Sequence, residues 1–333
     1  MLAELLARAR DARVFSAAAW SVGTADDVLD QGTLGARWWD GPPVTEASRW
    51  DLASVTKPIV GLVVAALAER GELSLDDPLP EFLPSYAGTD KASITVRQLL
   101  THTSGLPGGT PLWRTFPTRT KLLEAIRTTP LPAPPGSRVE YSSQGFILLG
   151  LIASAASGRP LDRLVADLVT TPAGLPDTGF GPVDDAVATE DCPWRGRVVT
   201  GEVHDENAVV LGGICGHAGL FAPLSDVARL GRILATGASP LLKPETHAEM
   251  IACHTRGLRR GLAWQGLDVP GSPVGTALQP DSYGHTGFTG TSLWVEPVRR
   301  RYYVLLTNRV HPSRAQDVSA VRRAFHDAAV RLG

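Results

Sequence analysis

"WDLASVTKPIVGLVVAALAERG" (residues 50–71) couples a hydroxyl and a lysine to a run that is apolar on every side. The run Ile59–Ala68 predicts a helix buried all round. Gly71 follows as a residue suited to end it in the left-handed conformation. Pro58 falls in the first turn, where its missing N–H does little harm. Ser54 and Lys57 stand three apart, and residues i and i+3 share a helix face. Lysine is scarce in this chain (Lys57, Lys91, Lys121 and Lys243), yet one sits at the mouth of a buried helix. Desolvation there favours the neutral amine, the form that can take a proton from a serine. The helix N-terminus adds unpaired N–H groups and the positive end of its dipole. S-x-x-K arises about once by chance in a chain of ordinary composition. The pair alone therefore does not decide the chemistry.

The totals narrow the classes. A chain of 333 residues, 43% hydrophobic and 20% charged, suits one large domain or two smaller ones around a substantial core. A formal charge of −2 carries no electrostatic footprint for nucleic acid. No basic amphipathic helix points to a membrane surface. The longest apolar run, Ile59–Ala68, is half of the roughly 20 residues a membrane span needs. In "MLAELLARARDARVF", Glu4, Arg8 and Arg10 interrupt any apolar core of a signal peptide. Cys192, Cys215 and Cys253 are an odd set without zinc-like spacing. The expectation is reduced thiols in a cytoplasmic protein.

Periodicity gives the organisation. Leu2–Arg13 predicts a helix, and residues 14–23 and 27–38 predict a strand hairpin, with Gly32 and Gly35 as bulge candidates. Residues 72–255 read as mostly helical pieces between Pro/Gly loops. Strand signals return at 259–267, 290–297 and 301–310. Residues 313–332 predict a closing amphipathic helix, with Ser313 as its N-cap. The expected fold class is α+β. An antiparallel sheet is built from both chain ends and flanked by helices, with an inserted mostly helical region. The expected division is 1–71 with 256–333 as the sheet domain and 72–255 as the helical domain, with the active site at their junction.

Two further motifs bear on Ser54. In "EYSSQGFILLG" (140–150), Tyr141 precedes Ser142 and Ser143 just before an apolar helix. In "YGHTGFTGTSLWV" (283–295), His285-Thr286-Gly287 leads into a strand. With S-x-x-K these resemble, in order and separation, the three elements of the serine β-lactamase and penicillin-binding superfamily. The likeness is greatest to its class C β-lactamase-like branch of esterases, D-aminopeptidases, DD-peptidases and acyltransferases. "LLTHTSGLP" (99–107) and "GHAGLFAPLSDVARL" (216–230) resemble further recurrent segments, so the likeness spans nearly the whole chain.

The resemblance implies a β-lactamase/transpeptidase-like fold and a role for each motif residue. Ser54 is the acylated nucleophile, Lys57 takes its proton, and Tyr141 protonates the leaving group. The backbone N–H groups of Ser54 and Phe288 form the oxyanion hole. Ser143, His285, Thr286 and Gly287 contact substrate. Two positions depart from the pattern. Ser143 stands where the family usually has Asn, giving one short contact in place of a donor and an acceptor. His285 stands where lysine would attract a carboxylate. The expectation is a serine hydrolase acting on a small ester or a D-amino-acid-type amide or peptide. An acyltransferase using the same Ser-Lys-Tyr site is the alternative, and β-lactam turnover is expected to be poor. No cofactor or metal is implied; His204, Asp205, Glu206 and Asn207 cluster in residues 201–213 without a metal-binding spacing, and that segment reads as a loop bordering the active site. His102 and His217 are expected to be hydrogen-bonded structural residues. The expected partner is a small acyl substrate.

Overall fold

The computed structural model describes residues 1–237 and 240–332. The helix α1 (Leu2–Asp11) leads into strands β1 (Ala17–Thr24) and β2 (Val28–Gly35). A short strand β3 (Trp50–Asp51) and a single 3-10 turn (Ala53–Val55) then enter helix α2 (Thr56–Glu69). The intervening region contains α3 (Ser143–Ser157), strand β4 (Leu220–Ala222) and α4 (Leu224–Ala235). Strands β5 (Gln265–Gly266), β6 (Tyr283–Thr286), β7 (Ser292–Glu296) and β8 (Arg301–Thr307) precede α5 (Ser319–Ala329).

The main sheet is antiparallel in the order β2-β1-β8-β7-β6-β5. Both chain ends therefore build it, with Trp20 opposite Leu305 and Leu293 opposite His285. Residues along a strand point alternately to opposite faces. Ala17, Ala19, Leu293, Val304 and Leu306 enter the larger core, shared with α2, α3 and α4. Ala18, Trp20, Val22, Trp294, Tyr303 and Leu305 enter a second core, closed by Leu2 and Leu6 of α1 and Phe325 and Ala329 of α5. Both faces are covered, so β1 and β8 read as nearly continuous apolar runs.

Several expectations shift. Gly32 and Gly35 lie in regular pairing opposite Trp20 and Ala17, and the irregularity falls at Val22/Gly23. Of residues 259–267 only Gln265–Gly266 is strand. His285-Thr286-Gly287 leads through the hairpin tip into β7 as expected, but His285 and Thr286 themselves end a further strand, β6, which pairs with β7. The last helix begins at Ser319 with Val318 at its cap, so Ser313 caps nothing. The backbone carbonyls of Arg314 and Gln316 accept from Arg309 Nη1, which draws residues 313–318 off a helical path. The region 72–255 also holds strand β4, which pairs with β3 on one side and Gly179–Phe180 on the other. Gly333 of the expected sheet domain lies outside the described residues. Among the described residues no helix is long and apolar enough to cross a membrane.

Candidate active site

The turn before α2 is held in an unusual backbone shape. Ala53 has φ +46, a region costly for a residue with a Cβ. Its N–H donates to Asp51 Oδ1 at 2.8 Å, while Asp51 Oδ2 accepts from the His204 N–H at 2.7 Å. Burial pushes the Asp51 carboxyl above its usual range, against the pull of these two donors. The hairpin tip after β6 clamps the same turn. Thr289 Oγ1 donates to the Asp51 carbonyl at 2.8 Å and Thr291 Oγ1 to the Leu52 carbonyl at 3.0 Å. Only glycine fits between them. A Cβ on Gly287 would lie 2.1 Å from Thr291 Oγ1 and 2.6 Å from the Leu52 carbonyl oxygen.

That close approach brings the tip beside Ser54. Ser54 and Phe288 both line each of two cavities, of about 460 and 230 Å³. The Phe288 N–H takes no acceptor among the described residues. Gly287→Ala is expected to force the tip away from Ser54. A shift near 1 Å corresponds to about a 100-fold loss of activity, read as kcat/KM on any turned-over ester. A variant within about threefold of wild type would show that this packing does not set the site.

Lys57 is fully buried. Its Nζ lies 2.9 Å from Ser54 Oγ and donates to the His217 carbonyl at 3.2 Å. The Tyr141 ring centroid is 4.9 Å from Nζ, and the Phe146 ring of α3 backs it at 5.8 Å. Tyr141 sits just ahead of α3, 41% exposed and therefore open to a ligand. The His102 ring lies tilted against it, with centroids 4.6 Å apart, and His102 Nδ1 accepts the Ser142 N–H at 3.1 Å. Ser143 lines the smaller cavity with Ser54 but makes no hydrogen bond to Lys57 among the described residues.

His285 and Thr286 line the larger cavity. Burial first, then the charge of Lys57, pushes His285 down to about 3, so it is neutral at pH 7. Its Nδ1 lies 2.8 Å from the Thr286 carbonyl, an acceptor only, so Nδ1 carries the proton.

The sequence marks His217 as a hydrogen-bonded structural residue and Asp205 as part of a loop bordering the active site, without a task of its own. The structure couples both to Lys57. Asp205 Oδ1 accepts from His217 Nε2 at 2.9 Å and from the Ala208 N–H at 2.9 Å. Burial disfavours the His217 imidazolium, but the Asp205 carboxylate outweighs it and raises His217 to about 10. A charged pair thus anchors the residue whose carbonyl receives Lys57. The "HDEN" cluster was the visible signal. Its other members take different tasks: Arg314 joins Glu190, at 2.7 Å, to Glu206, and Asn207 Oδ1 accepts the Trp113 N–H at 2.9 Å. Glu190, Cys192 and Glu206 come close enough to suggest metal ligation, but the Arg314 guanidinium already bridges the two carboxylates. All three cysteines are free, Cys253 being exposed.

The sequence profile described as Beta-lactamase matches residues 3–327. An Escherichia coli K12 protein named "Putative D-alanyl-D-alanine carboxypeptidase" is 31% identical, over 80% of this chain and 70% of its own length. Among solved structures, "EstCE1, a hydrolase with promiscuous acyltransferase activity" superposes with a TM-score of 0.82 at 21% identity, over 99% of this chain and 97% of its own. The Aspergillus terreus simvastatin synthase LovD, as its LovD6 mutant, superposes at 0.77 and 21% identity, over 99% and 93%. At such identities these likenesses concern the fold.

Proposed function

This chain belongs to the β-lactamase family, within the serine β-lactamase and penicillin-binding superfamily, and on that premise we propose that it is a serine hydrolase acting through an acyl-enzyme at Ser54. Its place is in the class C β-lactamase-like branch, and its substrate is a small ester or a D-amino-acid-type amide or peptide. The name of the Escherichia coli relative supports the peptide half of that class. The observation that carries the reading is the 2.9 Å contact of Ser54 Oγ with buried Lys57 Nζ, beside two cavities.

The steps follow from general acyl-transfer chemistry. Ser54 Oγ attacks the acyl carbon as its proton passes to Lys57. The N–H groups of Ser54 and Phe288 receive the oxyanion. The C–O or C–N bond then breaks as Tyr141 delivers a proton to the departing atom, and the proton held by Lys57 passes to Tyr141. Water, entering where the leaving group was, gives a proton to the Lys57–Tyr141 pair as it attacks the acyl carbon, and the bond to Ser54 Oγ breaks as that proton returns to the serine oxygen.

A second reading has an observation of its own. Two cavities meet at Ser54 and Phe288, so an acyl group and an acceptor can occupy separate spaces. In that reading an amine or alcohol intercepts the acyl-enzyme. The acyltransferase activity in the name of EstCE1 lends it support. Product analysis with an activated ester and a saturating amine or alcohol separates the two. The hydrolase reading expects free acid as the main product; predominant acylated acceptor would overturn it in favour of transfer.

A further inference from the structure

The acyl-transfer steps leave one activated side chain unused. Cys215 Sγ lies 3.1 Å from His217 Nδ1, and His217 Nε2 lies 2.9 Å from Asp205 Oδ1. Burial opposes a charge on His217, but Asp205 and then Cys215 hold it, so both ring nitrogens carry protons at pH 7. The Nε2 proton faces the carboxylate. The Nδ1 proton faces the sulfur, which accepts it. A cationic donor in contact with sulfur is the surrounding in which cysteines react. The other two cysteines lack it. Cys192 lies within 4.8 Å of carboxylate oxygens of Glu190 and Glu206, and Cys253 donates to the Thr255 carbonyl at 3.4 Å.

The sulfur is not sealed off. Cys215 is buried beneath the outer surface, yet it lines a third cavity of about 310 Å³. Leu151, Leu161 and Ile214 make much of that wall apolar. A water takes about 30 Å³ in the liquid, so a molecule of a few atoms fits easily.

The turn Cys215–Ala218 divides this cavity from the nucleophile. Cys215 and Ala218 pair across the turn; Cys215 faces the third cavity and Ala218 the smaller cavity at Ser54. The turn has no room to retreat. A Cβ on Gly216 would lie 2.0 Å from the Phe146 carbonyl oxygen of α3. A change at the sulfur is therefore taken up by the His217 ring. His217 is also the residue whose carbonyl receives Lys57 Nζ at 3.2 Å.

We propose that Cys215 is a modification site for a small peroxide, and that its oxidation slows acyl transfer at Ser54 through His217. The proposal rests on the acyl-enzyme reading and names a regulation of that same site. Cys215 Sγ attacks one oxygen of hydrogen peroxide. The S–O bond forms as the O–O bond breaks, so sulfur loses two electrons and the peroxide gains them. The Nδ1 proton goes to the departing hydroxide, which leaves as water. The thiol's own proton then returns to Nδ1. The product is a sulfenic acid, which a thiol reductant reverses. Its oxygen replaces sulfur as the acceptor of the Nδ1 proton. The ring moves to keep that bond, and the His217 carbonyl moves with it. A 1 Å misplacement corresponds to about a 100-fold loss, so a shift of part of that is expected to cost about 10-fold.

The test exposes the protein to hydrogen peroxide in steps. It reads ester turnover and, by alkylation in denaturant before and after dithiothreitol, the oxidised fraction of each cysteine. Exposed Cys253 is the internal reference. Cys215 is expected to oxidise about 10-fold faster than Cys253, because only it has the cationic donor. Turnover is expected to fall in step, and dithiothreitol to restore both. Cys215→Ala is expected to stay within about threefold of untreated wild type, as a change outside the acyl-transfer steps, and to keep its rate in peroxide. Cys215→Ser, which keeps the size of the side chain, carries the same expectation if the alanine variant does not fold. Asp205→Asn, which removes the partner of the imidazolium, is expected to slow oxidation of Cys215 about 10-fold. Earlier oxidation of Cys253 overturns the proposal. So does full oxidation of Cys215 with unchanged turnover, or a loss of turnover that persists without Cys215.

Failure of the underlying reading looks different. No ester is then turned over, and a fluorophosphonate leaves Ser54 unlabelled. The sulfur is then judged by oxidation alone. A preference for Cys215 over Cys253 that Asp205→Asn abolishes supports the modification site by itself, and equal oxidation sinks it.

Discussion

Ser54→Ala is expected to lower turnover about 10⁴- to 10⁶-fold, the range found when a covalent nucleophile is removed. The change deletes one oxygen. In the structure that oxygen meets Lys57 Nζ at 2.9 Å, and Nζ keeps the His217 carbonyl at 3.2 Å after the deletion. The turn is held by other groups, namely Asp51 Oδ1 on the Ala53 N–H and Thr291 Oγ1 on the Leu52 carbonyl. Stability should therefore change by only about 1 kcal/mol, the net worth of one ordinary hydrogen bond. A near-normal rate would show that another group forms the covalent bond. A protein that unfolds would show that Ser54 has a structural task which the geometry does not reveal.

Lys57→Met is expected to lower turnover about 10²- to 10⁴-fold, as when a positioned acid–base group is lost. Methionine keeps the apolar stem and lacks the terminal nitrogen, the atom that lies 5.8 Å from the Phe146 ring centroid. Lys57 is fully buried and forms no ion pair with a carboxylate among the described residues. Its removal should thus leave stability unchanged or raise it. The double variant with Ser54→Ala should be no slower than Ser54→Ala alone, because the two groups act on one step. Multiplying losses would mean that Lys57 acts apart from Ser54, contrary to the assigned roles.

Much of this site was legible because its parts are local. Ser54, Lys57 and the apolar run of α2 lie within one stretch, and helical spacing is enough to put them side by side. The split sheet was legible because β1 and β8 are nearly continuous apolar runs at opposite ends of the chain. Element limits were harder. Ser313 has the chemistry of an N-cap, but Arg309 reaches the carbonyls of Arg314 and Gln316 and delays the helix to Ser319. Such a contact between a strand end and a loop has no period in sequence. The same holds for the support of Lys57. His217 is 160 residues away and offers a backbone carbonyl, which no side-chain motif records.

The central claim is that Ser54 carries the acyl group. Incubation with a fluorophosphonate, followed by intact-mass and peptide mass spectrometry, addresses it directly. One adduct per chain, located on the peptide containing Ser54 and absent from Ser54→Ala, is the predicted result. An adduct on another residue, or equal labelling of wild type and Ser54→Ala, would contradict it.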